Sequence, residues 1–300
     1  MALSFSMEIK QEIIENKQHR MRGELFWGSG LFMSAKAFSA DKMCLRSEIP
    51  ELAQLYARLA KIIAGDAIQV EIHERKTKKG IVVYRAEVTQ GSGRELILQN
   101  AAAPDSTEDR RYIGAFLSGA FLACGSASNP EKSYRLEFAV HDAGLADKLA
   151  RLTSKFGLSP GVAARRGQNI VYFDECGQIQ DILTMMGASR AALKVIDVEM
   201  IKQVRNQANR AANLETANID KQVEAAMSQV RDIELLLREV GMEGLPEPLM
   251  RAAELRLKHP EASFRELVEL SPEPITRSGL YHRYAAIAKM AVELRDGKSV

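Results

Sequence analysis

The chain has 300 residues, 46% of them apolar, enough to bury one large core or two modest ones. Its 41 Lys and Arg stand against 39 Asp and Glu, a formal charge of +2, so a signal for a polyanionic partner has to come from local clustering. No apolar run approaches the roughly 20 residues that cross a bilayer, and the opening MALSFSMEIKQEIIENKQHR is too charged for a signal peptide.

A cytoplasmic protein without a membrane partner is therefore expected. Cys44, Cys124 and Cys176 are odd in number and far apart, with no CxxC and no His at ligand spacing. That pattern suggests neither a disulfide framework nor a zinc site. Buried, inert thiols are expected, with no metal and no cofactor.

In chain order, RGELFWGSGLFM (22–33) predicts an apolar helix seeded with small residues, and AFSADKMCLRSEI alternates like a hairpin. PELAQLYARLAKIIAG has helical spacing at Leu52, Leu55, Leu59 and Ile62. AIQVEIHERKTKKGIVVYRAEV predicts two strands around a Lys and Gly turn, and RELILQNAA a helix. The order then returns: apolar YIGAFLSGAFLACGS, the strand SYRLEFAV, the helix AGLADKLARLTSKFG, the hairpin PGVAARRGQNIVYFDE and the helix GQIQDILTMMG. The unit is αββαββα, present twice.

Both leading helices carry small residues, Gly28, Ser29 and Gly30 in one and Ser118, Gly119 and Ala120 in the other. Gly costs a helix roughly 1 kcal/mol relative to Ala, so its recurrence at matching places needs a cause. Close packing of the two helix backbones supplies one.

Basic residues cluster at equivalent hairpin tips, Arg75, Lys76, Lys78 and Lys79 in the first repeat and Arg165 and Arg166 in the second. Solvated turns and contacts to DNA or another partner are evenly weighed there, and Glu71, Glu74 and Glu87 nearby argue for modest affinity. Beyond the repeats, VEMIKQVRNQANRAANLETAN places Lys202, Asn206, Asn209 and Asn213 along one helical stripe. A polar bridge between domains and phosphate contact through Lys202, Arg205 and Arg210 both explain it. NIDKQVEAAMSQVRDIELLLREVG follows as an amphipathic connector ending at Gly241.

The C-terminal segment opens with the helix LPEPLMRAAELRLKHP, striped by Leu249, Ala252, Ala253 and Leu257. SFRE at Ser263 to Glu266 is a capping box that starts a short second helix. Pro272 and Pro274 force a turn. In the third helix Leu280, Tyr284, Ile287, Ala291 and Leu294 face inward, leaving Ser278, Tyr281, His282 and Lys289 outside with Arg277 and Arg283 at the margins. The run ITRSGLYHRYAAIAK (275–289) has no carboxylate, as suits a helix that approaches a polyanion. The pattern is a helix-turn-helix whose third helix reads DNA, with Ala285 and Ala286 leaving room to enter a groove. A bland three-helix bundle is the alternative.

LSGAFLACG (117–125) resembles the LAGLIDADG helix of homing endonucleases, where two such helices form the interface of paired αββαββα halves. With RNQANRAANLETANIDK, LPEPLMRAAELRLKHPEASFRELVEL and TRSGLYHRYAAIAKMA, nearly the whole chain resembles the WhiA family of bacterial regulators. Leu214 departs from that signature, which commonly has Cys there, and the first LAGLIDADG-like helix ends in Met33 and Ser34 without the usual Gly.

The resemblance implies an α+β fold: a first repeat over 1–107, a second over 108–192, a helical linker over 193–241 and a helix-turn-helix domain of the sigma region 4 type over 242–300. It also implies roles in sporulation-type transcription, cell division or chromosome segregation, with double-stranded DNA as partner, association with the nucleoid, and another transcription or division protein as a second class of partner. In the related enzymes each helix ends in an acid that holds a divalent metal. Aligning the repeats puts that position at Cys124 and about Phe32, and neither side chain can hold one. A non-enzymatic DNA-binding protein is expected, with a metal-dependent nuclease or a protein-binding scaffold as alternatives.

Overall fold

The computed structural model describes residues 3–16, 23–66, 68–78, 80–105 and 108–296. It divides into two compact units, Met1–Gln203 and Val204–Val300.

The first unit contains the expected duplication. The first repeat runs α2 (Glu24–Met33), β1 (Ala37–Phe38), β2 (Met43–Ser47), α3 (Pro50–Ala64), β3 (Val70–Lys76), β4 (Val82–Val88) and α4 (Gly91–Asn100). The second runs α5 (Arg110–Cys124), β5 (Gly125–Ala127), β6 (Leu136–Val140), α6 (Ala143–Ser154), β7 (Gly161–Arg165), β8 (Gln168–Phe173) and α7 (Cys176–Met185). Each repeat folds its strands into one antiparallel sheet, ordered β1-β2-β4-β3 and β5-β6-β8-β7. Local chemistry sets the ends. Pro50 opens α3, and the Asp142 carboxylate caps α6 by accepting from the amides of Gly144 and Leu145, each at 3.1 Å. Arg166 and Gly167, both at positive φ, form the two-residue turn between β7 and β8.

Strand alternation decides which face is covered. Leu136, Phe138 and Val140 of β6 are buried, while Glu137 and Ala139 between them are less so. In α3 the buried stripe is Leu52, Leu55, Leu59 and Ile63, whereas Ile62, expected inside, is 39% exposed. The 3.6-residue period carries the stripe one position further by the last turn.

The helices α2 and α5 pack backbone to backbone. A Cβ on Gly30 would overlap the Phe116 carbonyl, and one on Gly119 would overlap the Trp27 carbonyl. Gly28, expected at this seam, lies instead against Ile63 and Leu59 of α3. The reciprocal approach pairs Gly30 with Gly119, Trp27 with Phe116 and Leu31 with Ala120. The same offset carries Ala35 onto Cys124, which corrects the expected counterpart, Phe32. Phe32 is fully buried against the Tyr56 ring, 4.3 Å between centroids.

A helix the sequence reading did not assign, α1 (Phe5–Glu15), buries Phe5, Ile9 and Ile13 in the same core. Its Ser6 hydroxyl donates to the Ala127 carbonyl at 2.9 Å and accepts from the Ala127 amide at 2.7 Å, extending the hydrogen bonding of β5. The Glu12 carboxylate accepts from the amides of Arg190 and Ala191 at 2.6 and 2.9 Å. Those amides open α8 (Ser189–Glu239), a single helix of 51 residues over the stretch read as two helical patterns. A carboxylate on the unpaired amides of a helix N-terminus is favourable in both hydrogen bonding and dipole.

All three cysteines are free; Cys44 is buried and the other two are half-buried. Burial pushes the Cys124 thiol up to about 12 and the Cys176 thiol up to about 11, so both stay protonated and unreactive. Among the described residues no helix is long and apolar enough to cross a membrane.

Candidate nucleic-acid interface

The second unit packs α9 (Glu247–Lys258), α10 (Phe264–Leu270) and α11 (Arg277–Arg295) with the C-terminal part of α8. Its core holds Ile233 and Leu236 of α8, Ala252, Ala253 and Leu255 of α9, Leu267 of α10, and Leu280, Tyr284, Ile287 and Ala291 of α11. Leu255 is buried where the sequence pattern had favoured Leu249 and Leu257, which are only partly covered.

Side chains cap the N-termini of α10 and α11. The Ser263 amide donates to Glu266 Oε2 at 2.7 Å and the Glu266 amide to Ser263 Oγ at 3.3 Å, the expected capping box. The bond from the Ser263 amide holds the Glu266 carboxyl below its ordinary value. Thr276 Oγ1 accepts from the Gly279 amide at 3.1 Å and opens α11. Between the two helices, Ser271 Oγ donates to the Glu273 carbonyl at 2.9 Å, and Arg251 of α9 forms ion pairs with both Glu273 and Glu247.

Arg256, which sequence reasoning passed over, is 1% exposed. Its Nε donates to Gln229 Oε1 at 3.0 Å and its Nη1 to the Ala262 carbonyl at 2.5 Å. The guanidinium lies 5.4 Å from the Tyr284 ring centroid and 6.0 Å from that of Phe264. Burial pulls its pKa down. Nothing in its local sequence marks it, since one more Arg on an Arg-rich helix reads as surface. It ties α8, α9 and α10 to the inner side of α11.

With that side locked, the outer side of α11 presents Arg277, Ser278, Tyr281, His282, Ala285 and Lys289, all exposed, with Arg283 and Ala286 half-covered beside them. Tyr281 is 60% exposed, an aromatic held in place by Phe264 at 6.3 Å and edge-to-face with His282 at 6.0 Å. The first carboxylate on the helix is Glu293, 3.9 Å from Lys289. The side chains assigned to the reading helix from sequence thus share one helix and one exposed surface.

The other candidates fare unevenly. Arg75, Lys76 and Lys78 are exposed at the β3–β4 tip, and Lys79 lies outside the described residues. Arg166 is exposed, but Arg165 Nη2 donates to Glu137 Oε1 at 3.2 Å, and Glu137 also takes Arg135 at 3.3 Å. The strand pairing brings Arg165 back over the sheet, so it is not a free tip cation. On the other sheet Arg85 pairs with Glu87 at 2.5 Å and His73 lies 3.2 Å from Glu71. Lys202 is likewise engaged: its ammonium donates to the Pro130 carbonyl at 2.7 Å and sits 4.4 Å over the Tyr134 ring. Arg205, Arg210, Asn206, Asn209 and Asn213 are exposed.

The C-terminal ends of α2 and α5 offer Ser34, Ala35, Ala123 and Cys124, none a hard oxygen anion. Glu24, the nearest acid in α2, is committed to an ion pair with Arg58. Among the described residues no group of three or more His, Cys, Asp or Glu converges to hold a metal. The donor set there does not fit a divalent cation.

Comparison with known proteins agrees with this architecture. The family profile described as "WhiA LAGLIDADG-like domain" matches residues 113–205, and "WhiA C-terminal HTH domain" matches residues 208–291. A Clostridium botulinum protein named "Probable cell division protein WhiA" is 33% identical over 98% of this chain and 100% of its own length. A Clostridium perfringens protein of the same name is 44% identical over 64% of this chain, a stretch that spans 60% of that relative. The crystal structure of full-length DUF199/WhiA from Thermotoga maritima superposes with a TM-score of 0.59 at 24% identity, covering 98% of this chain and 99% of that one.

Proposed function

The chain belongs to the WhiA family, and we propose that it is a transcription regulator that binds duplex DNA through α11 without cutting it. The observation that carries this reading is the outer surface of α11. It offers a tyrosine, a histidine, a serine and flanking cations, without a carboxylate before Glu293, on a helix whose other side is clamped. A helix that enters the major groove needs that division: donors and acceptors for base edges in the middle, cations at the margins for phosphates. In this reading Ser278, Tyr281 and His282 face bases, Arg277, Arg283 and Lys289 meet the backbone, and Arg205 and Arg210 are secondary phosphate contacts.

The non-catalytic half of the reading rests on donor chemistry. In-line hydrolysis of a phosphodiester by divalent ions calls for carboxylates at the paired helix ends, and Ala35 and Cys124 stand there. The relatives' printed name supports a role connected with cell division, and a duplex-DNA partner would bring that role to the nucleoid.

A gel-shift assay on sheared genomic DNA, with and without magnesium, tests both halves. Retardation without cleavage is the expected result. Cleavage that disappears on replacing an acid near either helix end overturns the non-catalytic reading. Neither retardation nor cleavage removes the DNA-binding reading and leaves a protein-binding role for the first unit.

A further inference from the structure

Within the first unit, a cleft of about 650 Å³ opens at the C-terminal ends of α2 and α5, between the two sheets. Lys36, Lys42, Arg46 and His141 line it, and no carboxylate does. None of Lys36, Lys42 or Arg46 has a carboxylate partner among the described residues. Three cations facing one concavity without an anion repel each other, and the arrangement costs stability unless something negative occupies it.

A second observation points into the same cleft. Ser34 lines it, is 5% exposed, and its hydroxyl makes no hydrogen bond of normal geometry. It lies beside the Cys124 thiol, which donates to the Ala120 carbonyl at 3.2 Å. A buried hydroxyl held only by a thiol is weakly satisfied, and a rotation of the Ser34 side chain toward the cleft would let a ligand oxygen satisfy it. The Gln168 amide at the rim adds a further donor. Lys10, outside the lining but electrostatically coupled to Cys124, holds its ammonium 5.9 Å from the Phe121 ring centroid. The carbonyls at two helix C-termini account for one or two nearby cations, but not for all three that line the cleft.

We infer that this cleft binds a phosphorylated small molecule of nucleotide size, with the Arg46 guanidinium and the Lys36 and Lys42 ammonium groups on its phosphates. The size fits: pockets for such ligands measure roughly 300–1,000 Å³. Arginine offers phosphate a planar fork of donors and lysine a point charge. Ala37, Ala123 and Ala139 supply an apolar wall for the rest of the ligand. Duplex DNA is the poorer occupant, because it needs a basic track continuing out of the cleft along both sheets. There Arg85, Arg135 and Arg165 are neutralised by Glu87 and Glu137. These neutral pairs stand between the cleft and the exposed tip cations Arg75, Lys76, Lys78 and Arg166, so the positive track is interrupted and the cleft matches a few phosphates, not a continuous helix of them.

Isothermal titration calorimetry of the full chain with ADP, pyrophosphate and adenosine at low ionic strength tests the inference. ADP and pyrophosphate bind saturably and adenosine does not. Arg46→Ala and Lys42→Ala each weaken ADP about tenfold or more, the loss of a charge-assisted phosphate contact. Lys61→Ala, an exposed cation on α3 outside the cleft, leaves ADP affinity unchanged. All three substitutions are of exposed side chains, and retained melting temperatures check that the fold survives. Absence of saturable binding at millimolar ADP and pyrophosphate overturns the proposal, as does equal weakening by Lys61→Ala. Displacement of ADP by a short random duplex, with loss of duplex affinity in Arg46→Ala, also overturns it and makes the cleft a seat for DNA phosphates.

Discussion

The Tyr284 hydroxyl donates to the Ala252 carbonyl at 3.0 Å, across 32 residues of chain, and that bond fixes the rotation of α11 about its own axis against α9. Helix rotation decides which side chains a groove would meet, so the outer surface is defined by a bond made on the inner one. Burial pushes the Tyr284 pKa up to about 12. A raised phenol pKa contributes stability that is complete below the unfolded value near 10 and is lost as pH rises through 12. Tyr284→Phe is expected to lower unfolding free energy by about 0.5–1.5 kcal/mol at neutral pH. Urea titrations on both proteins across pH 9 to 12 check it: the gap between them closes as pH rises.

At the seam of the first unit, Gly119→Leu has to separate α2 from α5, because even a Cβ at Gly119 overlaps the Trp27 carbonyl. Overpacking of a flexible core costs about 1–3 kcal/mol, and a rigid backbone obstacle costs more. Trp27 is the sole tryptophan and is fully buried, so its emission reports on this seam. A red shift in Gly119→Leu is the expected reading; an unshifted spectrum with an unchanged melting temperature removes the paired-helix account.

On α11, specificity and raw affinity are expected to separate. Replacing Tyr281 and His282 with Ala removes base discrimination worth about 1–3 kcal/mol for each good contact, with little change in binding to a scrambled duplex. Arg277→Ala and Arg283→Ala weaken every sequence alike and reduce the slope of log affinity against log salt by about one unit each. Isotherms on specific and scrambled duplexes at several salt concentrations measure both. Specific affinity that survives deletion of residues 245–300 moves the reader elsewhere.

Asp109 caps α5, accepting from the Arg111 amide at 2.9 Å and pairing with the Arg111 guanidinium at 2.6 Å. Those contacts lower its pKa to about 2. A depressed carboxyl pKa gives stability that is present above the unfolded value near 4 and lost as pH falls toward 2. Asp109→Asn is expected to flatten that acid limb, read as urea midpoints between pH 5 and 2.

What the sequence made legible were features whose cause is local. The Ser263 and Glu266 box, the proline turn, the inward spacing of Leu280, Tyr284 and Ile287, and the doubled small-residue helices each sit within one short window. The rest depends on partners far along the chain. Helix α1 is positioned by Ala127 and by the amides of Arg190 and Ala191. Arg165 loses its freedom to Glu137 and Lys202 to Pro130. The Phe32 alignment failed because repeats without shared letters can be set in register only by the reciprocal contacts of Gly30 and Gly119.

Within α8, every residue from 203 to 225 is exposed, Val204, Leu214 and Ile219 included. Such a stretch is held by its own peptide hydrogen bonds alone, so its helicity obeys the helix–coil equilibrium of an isolated peptide, sensitive to temperature and length. Its amides will exchange with deuterium long before those of either core. A protease should make its first cut there, yielding two fragments that each retain a core.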